Sequence, residues 1–453
     1  MFHDLTARLR DPESLIAKML GSGIWTVMGF GIGSVLRLLG NLILTRILLP
    51  DAFGLMALII AIHVGLVLFT DVGLNQSVMR DKRGDEPGFL RLIWTLKCIR
   101  GISIAVIILV ISAVIGVLGP QLAPPASVYA DPRLPWLLAV SSLSALLQAA
   151  ASTNQMLANR HLKVRPIVLI ELGSQVVALA TSVGLAVLTQ SVWAILAGMI
   201  VRNLLETTLS HLVLKGPSMR VVWDSPVALE IWNFGKWLII SSAGTFISRF
   251  GDRFIFGYLI SNTLLGIYSI AVIWIELGTA VISQICGVVF IPSFRMLREQ
   301  NPERIGQAVR RAYLGTMALC YAAFAGFIAL GGWMIDLLYS DAYEAAQGFV
   351  PLLAFKILFM QTYPLHEYLL TLGRSRYAAL AFSVDAAVAI PAALLAFSLA
   401  GFEAAIAAYT VSNMMSCLFF ALHREVRAHV DWRLSVPAIL LPAVLLFAYL
   451  QVS

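Results

Sequence analysis

The sequence predicts an all-α polytopic membrane protein, and three observations carry that prediction. First, 59% of the 453 residues are hydrophobic, only 13% are charged and mean hydropathy is +0.85, a balance foreign to soluble globular chains. Second, the apolar residues gather in runs of roughly 18 to 27, the length a helix needs to cross about 30 Å of hydrocarbon. A membrane β-barrel would alternate in short strands and is excluded. Third, the loops between runs alternate between basic and nearly base-free, as the positive-inside rule requires of a chain threading back and forth.

Taken in order, spans fall at 22–48, 53–71, 93–118, 134–157, 166–188 and 191–212. A second set follows at 235–259, 264–290, 312–337, 348–371, 378–399 and 403–422, and a last run, 434–450, makes a thirteenth. One series of loops holds Arg80, Lys82, Arg83 and Arg91, then Arg160, Lys163 and Arg165, then Lys215 and Arg220. It continues through Arg295 to Arg311, Arg374 with Arg376, and Arg424 to Arg433. The opposite series has only Arg133 in Pro120 to Pro135, and no base in Ile260 to Leu264 or Asp336 to Gln347. The first series is therefore cytoplasmic, as is the N-terminus. The formal charge of +7 reports this orientation, not nucleic acid.

Residues 1–21 lack the pattern of a cleaved signal peptide, and Asp11-Pro12 reads as helix cap and first turn, so an interfacial cytoplasmic segment is expected there. The four cysteines, Cys98, Cys286, Cys320 and Cys417, lie in or beside apolar spans without paired spacing. They indicate neither a disulfide framework nor a metal site.

Within the first span, Arg37 stands about midway along an otherwise apolar helix, at the start of the stretch Leu36 to Gly54, where a charge is costly unless it faces a bundle interior or a wet cavity. An offset of 212 positions places Gly23 on Gly235, Trp25 on Trp237, Arg37 on Arg249, Ile43 on Ile255 and Gly54 on Gly266. Six spans per half return each half to its starting side, so the halves are expected to be parallel repeats. The expected division is an N-lobe at 22–213, a cytoplasmic linker at 214–233, a C-lobe at 234–422, and a loop with a terminal helix at 423–453.

Each half carries a polar stripe at helical spacing. Ser34, Arg37, Asn41 and Thr45 share one face of the first span; Ser241 or Ser242, Thr245, Ser248 or Arg249, and Asp252 share one face of the seventh. Such stripes also glue helices together. The arginines ask for more, because Asp252 can neutralise Arg249 or Arg253 but not both, and Arg37 has no acid near it in sequence. The planar donor fork of arginine suits phosphate oxygens, so the expected ligand is a phosphate or pyrophosphate head group held by Arg37, Arg249 or Arg253. Arg46 lies near the outer end of its helix, where it can face the cavity or snorkel. Glu171, Glu276 and Asp385 have no neighbouring base in sequence and, with Asp252, are candidates for proton or sodium coupling. Arg202 and Glu206, at i and i+4, read as a structural pair. Lys356 and Glu367 are further intramembrane charges. No Gly-rich phosphate cradle followed by Lys-Ser or Lys-Thr is present, and no other cofactor is indicated.

The stretches RLLGNLILTRILLPDAFGLMAL with TDVGLNQSVMR, LANRHLKVRPIVLIELGSQVVALATSVGLAVLTQSVWAILAG, and FGKWLIISSAGTFISRFGDRFIFGYLISNTLLGIYSIA resemble the polysaccharide transporter, or oligosaccharide flippase, family. That family lies within the multidrug/oligosaccharidyl-lipid/polysaccharide (MOP) exporter superfamily. The resemblance implies two six-helix lobes in a V around a cavity. It implies a non-enzymatic flippase in the bacterial inner membrane that moves undecaprenyl-diphosphate-linked sugar repeat units outward for polysaccharide export, whether lipopolysaccharide or exopolysaccharide. It implies cavity roles for Arg37, Arg46 and Arg249, with Asn41 and Asp252 carried over beside them. The polysaccharide polymerase and glycosyltransferases of the pathway are the implied partners. A thirteenth span departs from longer relatives, which have fourteen. Two rivals are a drug/cation antiporter of the same superfamily and a membrane polymerase or acyltransferase. The latter needs a catalytic outer loop that Gly119 to Pro135 and Asp336 to Gln347 do not offer.

Overall fold

The computed structural model describes residues 15–452. Among these the chain is helical almost throughout, with one isolated bridge, Ser127 to Ser261, in place of any sheet. The first half contains α1 (Leu15–Thr45), α2 (Pro50–Phe69), α3 (Leu74–Arg80), α4 (Pro87–Leu122), α5 (Arg133–Ala150), α6 (Asn154–Arg160), α7 (Arg165–Thr189) and α8 (Trp193–Leu212). The second half contains α9 (Ser225–Leu259), α10 (Asn262–Gln300), α11 (Ile305–Leu338), α12 (Ala346–Phe359), α13 (Tyr363–Thr371), α14 (Ser375–Ser412), α15 (Met414–Leu422), α16 (Arg424–Arg427) and α17 (Trp432–Val452). Proline opens α2, α4 and α7, where its missing N–H costs nothing. Asp11-Pro12 lies outside the described residues.

Every span read from hydropathy falls on a helix. Eight helices among the described residues are long and apolar enough to cross a membrane by themselves, and α5 with α6, bent by 53°, makes a ninth. Trp193–Leu212 and Ser225–Leu259 fall outside that group because each carries charges midway, Arg202 with Glu206 and Arg249 with Asp252 and Arg253. Spans eleven and twelve run on as α14, interrupted at Gly401, whose φ of 84° and ψ of −164° suit glycine alone.

Packing divides the chain at Ile239 into two units, except that Phe53–Ala61 and Ala126–Val128 pack with unit 2. In unit 1, α4 lies along α5, α7 along α8, and α1 on α7. Glycines set these distances. A Cβ at Gly29 or Gly40 of α1 would come within 2.6 Å of Val168 or 2.7 Å of Leu179, and Gln175 on the same face of α7 donates to the Gly33 carbonyl at 2.9 Å. Such small-residue seams let membrane helices approach closely. The segment expected as a cytoplasmic linker, 214–233, packs with unit 1: Arg91 Nε donates to Ser218 O, and the Val222 amide donates to Thr95 Oγ1. Arg83 bridges Asp81 (2.6 Å) and Glu230 (3.0 Å). Its hydrogen bonds hold Asp81 down at about 2, so the stabilisation this pair gives is complete at neutral pH and is lost only as pH falls below 3.8 through about 2.

The break between α5 and α6 is a hydrogen-bonding problem solved from neighbouring helices. Trp94 Nε1 donates to Ala150 O (3.0 Å), Lys97 Nζ to Ala151 O (2.9 Å), and Ser210 Oγ receives the Ser152 amide (2.9 Å). The freed carbonyls and amide thus stay satisfied away from water.

In unit 2, α12 packs on α10, α11 and α14. Gly54 at the start of α2 lies against the Asn262 carbonyl and the Gly266 amide, where a Cβ would approach to 2.2 and 3.1 Å. The two glycines that the 212-residue offset pairs therefore touch. Helix α17 contains Pro442, which cannot donate to Ala438 O one turn earlier. Gln361 Nε2 (3.2 Å) and Tyr321 Oη (3.3 Å) supply the donors instead.

The glycine seams yield a direct contrast. A Cβ at Gly198 on α8 would lie 1.8 Å from Ser182 Oγ and 2.8 Å from Ala178 O, whereas one at Gly184 on α7 meets nothing within 4 Å. Gly198→Val is expected to cost about 2–3 kcal/mol of overpacking, and Gly184→Val within about 0.5 kcal/mol, as read by denaturant unfolding of the purified protein in detergent.

Candidate functional site

In unit 1 the polar stripe of α1 sits beside the glycine seam, and Arg37 stands between the two. Ser34 and Thr45 are buried, Asn41 is half-buried, and Arg37 is exposed. Arg37 Nη2 donates to Ser34 Oγ at 3.1 Å, and no carboxylate among the described residues forms an ion pair with it. The charge it feels is another cation, Arg202 on α8. Arg202 forms the expected pair with Glu206 at 2.7 Å, but the sequence reading missed its nearness to Arg37. Arg46 follows the last turn of α1 and is exposed.

In unit 2 the competition for Asp252 is resolved against the helical i, i+3 spacing. Arg253 Nη1 bonds both Asp252 oxygens, at 2.9 and 3.1 Å, and Arg253 Nη2 bonds Glu276 Oε1 on α10 at 2.5 Å. Arg253 also donates to the Arg249 carbonyl at 2.8 Å, and Tyr268 Oη donates to Asp252 Oδ2 at 2.6 Å. Asp252 and Arg253 are 2% and 6% exposed. Arg253, expected among the ligand-binding arginines, is buried with two carboxylates and a carbonyl on its fork. Glu276, which has no base near it in sequence, is one of those carboxylates and meets the arginine across helices. Arg249 is left exposed, and its guanidinium has no ion pair among the described residues. The side chains of Ser241 and Thr245 lie outside the described residues. Lys356 on α12 faces the same cluster across a cavity of about 10 Å³, room for about one water.

The remaining acids occupy different settings. Asp385 on α14 is 1% exposed; its Oδ1 accepts the Ser416 amide in the first turn of α15 at 2.7 Å, and its Oδ2 has no hydrogen-bond partner. Glu367 is buried beside His366 (3.4 Å) and accepts from Tyr363, one turn earlier. Glu171 is exposed on α7, within electrostatic reach of Arg202 and Glu206. Among the described residues no group of three or more His, Cys, Asp or Glu side chains is placed to hold a metal ion.

Arg37 on α1 and Arg249 on α9 are thus exposed intramembrane arginines with no ion pair among the described residues. Solved structures share the fold. The chain is similar to the lipid II flippase MurJ in an inward closed conformation (11% identity, TM-score 0.69, covering 94% of this chain and 92% of that one). It is similar to an inward-facing multidrug resistance MATE family transporter of the MOP superfamily (13%, 0.62, 94% and 99%). A MOP superfamily transporter from Pyrococcus furiosus is also similar (15%, 0.55, 94% and 96%). The fold is thus one that these transporters share. A family model described as "Polysaccharide biosynthesis protein" matches residues 43–347, and the chain belongs to this family. No curated protein matches it by sequence.

The two arginines of α9 should part company under mutation. Arg253→Met leaves Asp252 buried and unpaired, a loss of about 3–5 kcal/mol. Arg249→Met, at an exposed position, should stay within about 0.5 kcal/mol, in the same unfolding measurement.

Proposed function

We propose that the protein is a non-enzymatic flippase that carries undecaprenyl-diphosphate-linked oligosaccharide repeat units from the inner to the outer leaflet of a bacterial cytoplasmic membrane by alternating access. The observation that carries this reading is the pair of exposed arginines, Arg37 and Arg249, that no acid among the described residues neutralises while Arg253 and Arg202 are paired. Membership of a polysaccharide biosynthesis family supports it, as does a fold shared with a lipid II flippase. A diphosphate supplies the missing counter-charge, and the guanidinium fork binds its oxygens in pairs. The sugars travel in a wet path and the prenyl tail stays in lipid. The N-terminus faces the cytoplasm, where the glycosyltransferases of the pathway deliver substrate; the polymerase receives it on the other side.

Of the four acids proposed for ion coupling, Asp252 and Glu276 are occupied by Arg253. Coupling to protons or sodium is therefore assigned to Asp385, whose second oxygen has no partner, with Glu171 as the alternative. The drug/cation antiporter reading needs unpaired acids to meet a cationic drug, and the engagement of Asp252 and Glu276 weighs against it.

Arg37→Ala and Arg249→Ala should each lower polysaccharide export tenfold or more in cells holding normal amounts of the protein. Loss of one charged hydrogen-bonding group, about 1.5–3 kcal/mol, corresponds to such a factor. Lipid-linked repeat units should accumulate facing the cytoplasm. Full export by both variants would overturn the role of the arginines, and accumulation facing outward would make the protein a polymerase.

A further inference from the structure

Unit 1 holds a half-open cavity of about 300 Å³ among α2, α4, α5, α7 and α8, the lower end of the range for small-molecule sites. Its walls are of opposite charge. Lys97 and Arg100, three residues apart on α4, line one side; Glu171 on α7 and Glu206 on α8 line the other. The two sides do not pair with each other: no ion pair joins them among the described residues. Lys97 gives one ammonium proton to Ala151 O, which leaves two of its three donors without a hydrogen-bonded partner. Arg100 is held at the end of α2, donating to Thr70 Oγ1 at 3.0 Å and to Val67 O, with Asp71 at 3.8 Å.

Asn203 supplies the second, independent observation. It is 5% exposed and lines the cavity; its Oδ1 accepts from Gln148 at 3.4 Å, while its Nδ2 has no partner. A buried amide nitrogen is rarely left so. An acceptor placed in the cavity would complete it. The donors of Lys97 and Asn203 call for an anion with several oxygens; the Glu171 carboxylate, with the second oxygen of Glu206, whose Oε1 holds Arg202 at 2.7 Å, calls for a cation.

We propose that this cavity binds a short zwitterion, an aminoalkyl phosphate, with its phosphate on Lys97 and Asn203 and its ammonium on Glu171 and Glu206. The ligand is either a free cytosolic molecule or the head group of a membrane lipid, and the chemistry of recognition is the same for both. Because Glu206 also holds Arg202, the cation nearest Arg37, occupancy of the cavity bears on the charge at the arginine proposed to meet substrate. The cavity itself stands independently of that reading.

The test is a calorimetric titration of the full-length, delipidated protein in detergent with phosphoethanolamine, beside inorganic phosphate and ethanolamine. Phosphoethanolamine should bind at least tenfold more tightly than either fragment and raise the melting temperature. Lys97→Met and Glu171→Gln should each weaken it tenfold or more; Glu171 is exposed, so its substitution leaves the fold intact. No binding, equal binding of inorganic phosphate, or an unchanged affinity in Glu171→Gln overturns the proposal. Repeating the titration in nanodiscs separates the sources. Loss of binding in phosphatidylethanolamine but not phosphatidylglycerol discs assigns the site to a lipid head group, and undiminished binding in both assigns it to a soluble zwitterion.

Discussion

A bilayer interior has no water with which to satisfy a stray donor, acceptor or charge, and the whole of this structure answers to that constraint. The response is visible wherever a helix is interrupted. At the break between α5 and α6, side chains of α4 and α8 reach across to the exposed carbonyls and amide. At the junction of α14 and α15, the Asp385 carboxylate receives the Ser416 amide. The same constraint shapes the charged residues. Arg253 is tolerated at 6% exposure because Asp252, Glu276 and a backbone carbonyl occupy its donors together.

Against this background, the groups left incomplete are informative. Arg37 leans on a serine and feels another cation; Arg249 has surrendered its acid to the neighbouring arginine. Structural charges in membranes come balanced, and these two do not. Their imbalance gives each unit a place where an anion lowers the electrostatic energy, which is the physical basis of the proposal that a diphosphate-bearing lipid binds there.

Much of the fold is legible in the sequence because hydrophobic length and loop charge are direct consequences of the solvent. The helix positions follow from them, as does the gap at residues 400–402, where Gly401 breaks α14. The pairing of Asp252 is not legible. Helical spacing favours Arg249, but the winner is the adjacent Arg253, since Glu276 on another helix completes its fork; that third partner is a tertiary fact. The break at Met360–Thr362 between α12 and α13 is announced by Pro364, which marks a bend in the tenth span and sits in the first turn of α13. Lys97 and Arg100 could have been noticed as bases three residues apart inside the third span, yet nothing local says that they face two carboxylates across a cavity.

The proline in α17 has a consequence for how the protein is made. Gln361 is fully buried, and its amide finds an acceptor only in Ala438, a carbonyl that Pro442 has released from its own helix. Residue 361 is translated and inserted well before that carbonyl exists. Until α17 arrives, the newly inserted unit 2 must carry this amide with a temporary partner or none, so its assembly is a process that a late segment finishes. Quality control in the membrane would meet a half-made unit through this exposed need, and an obstruction to the docking of α17 would be felt at the 3-10 turn between α12 and α13.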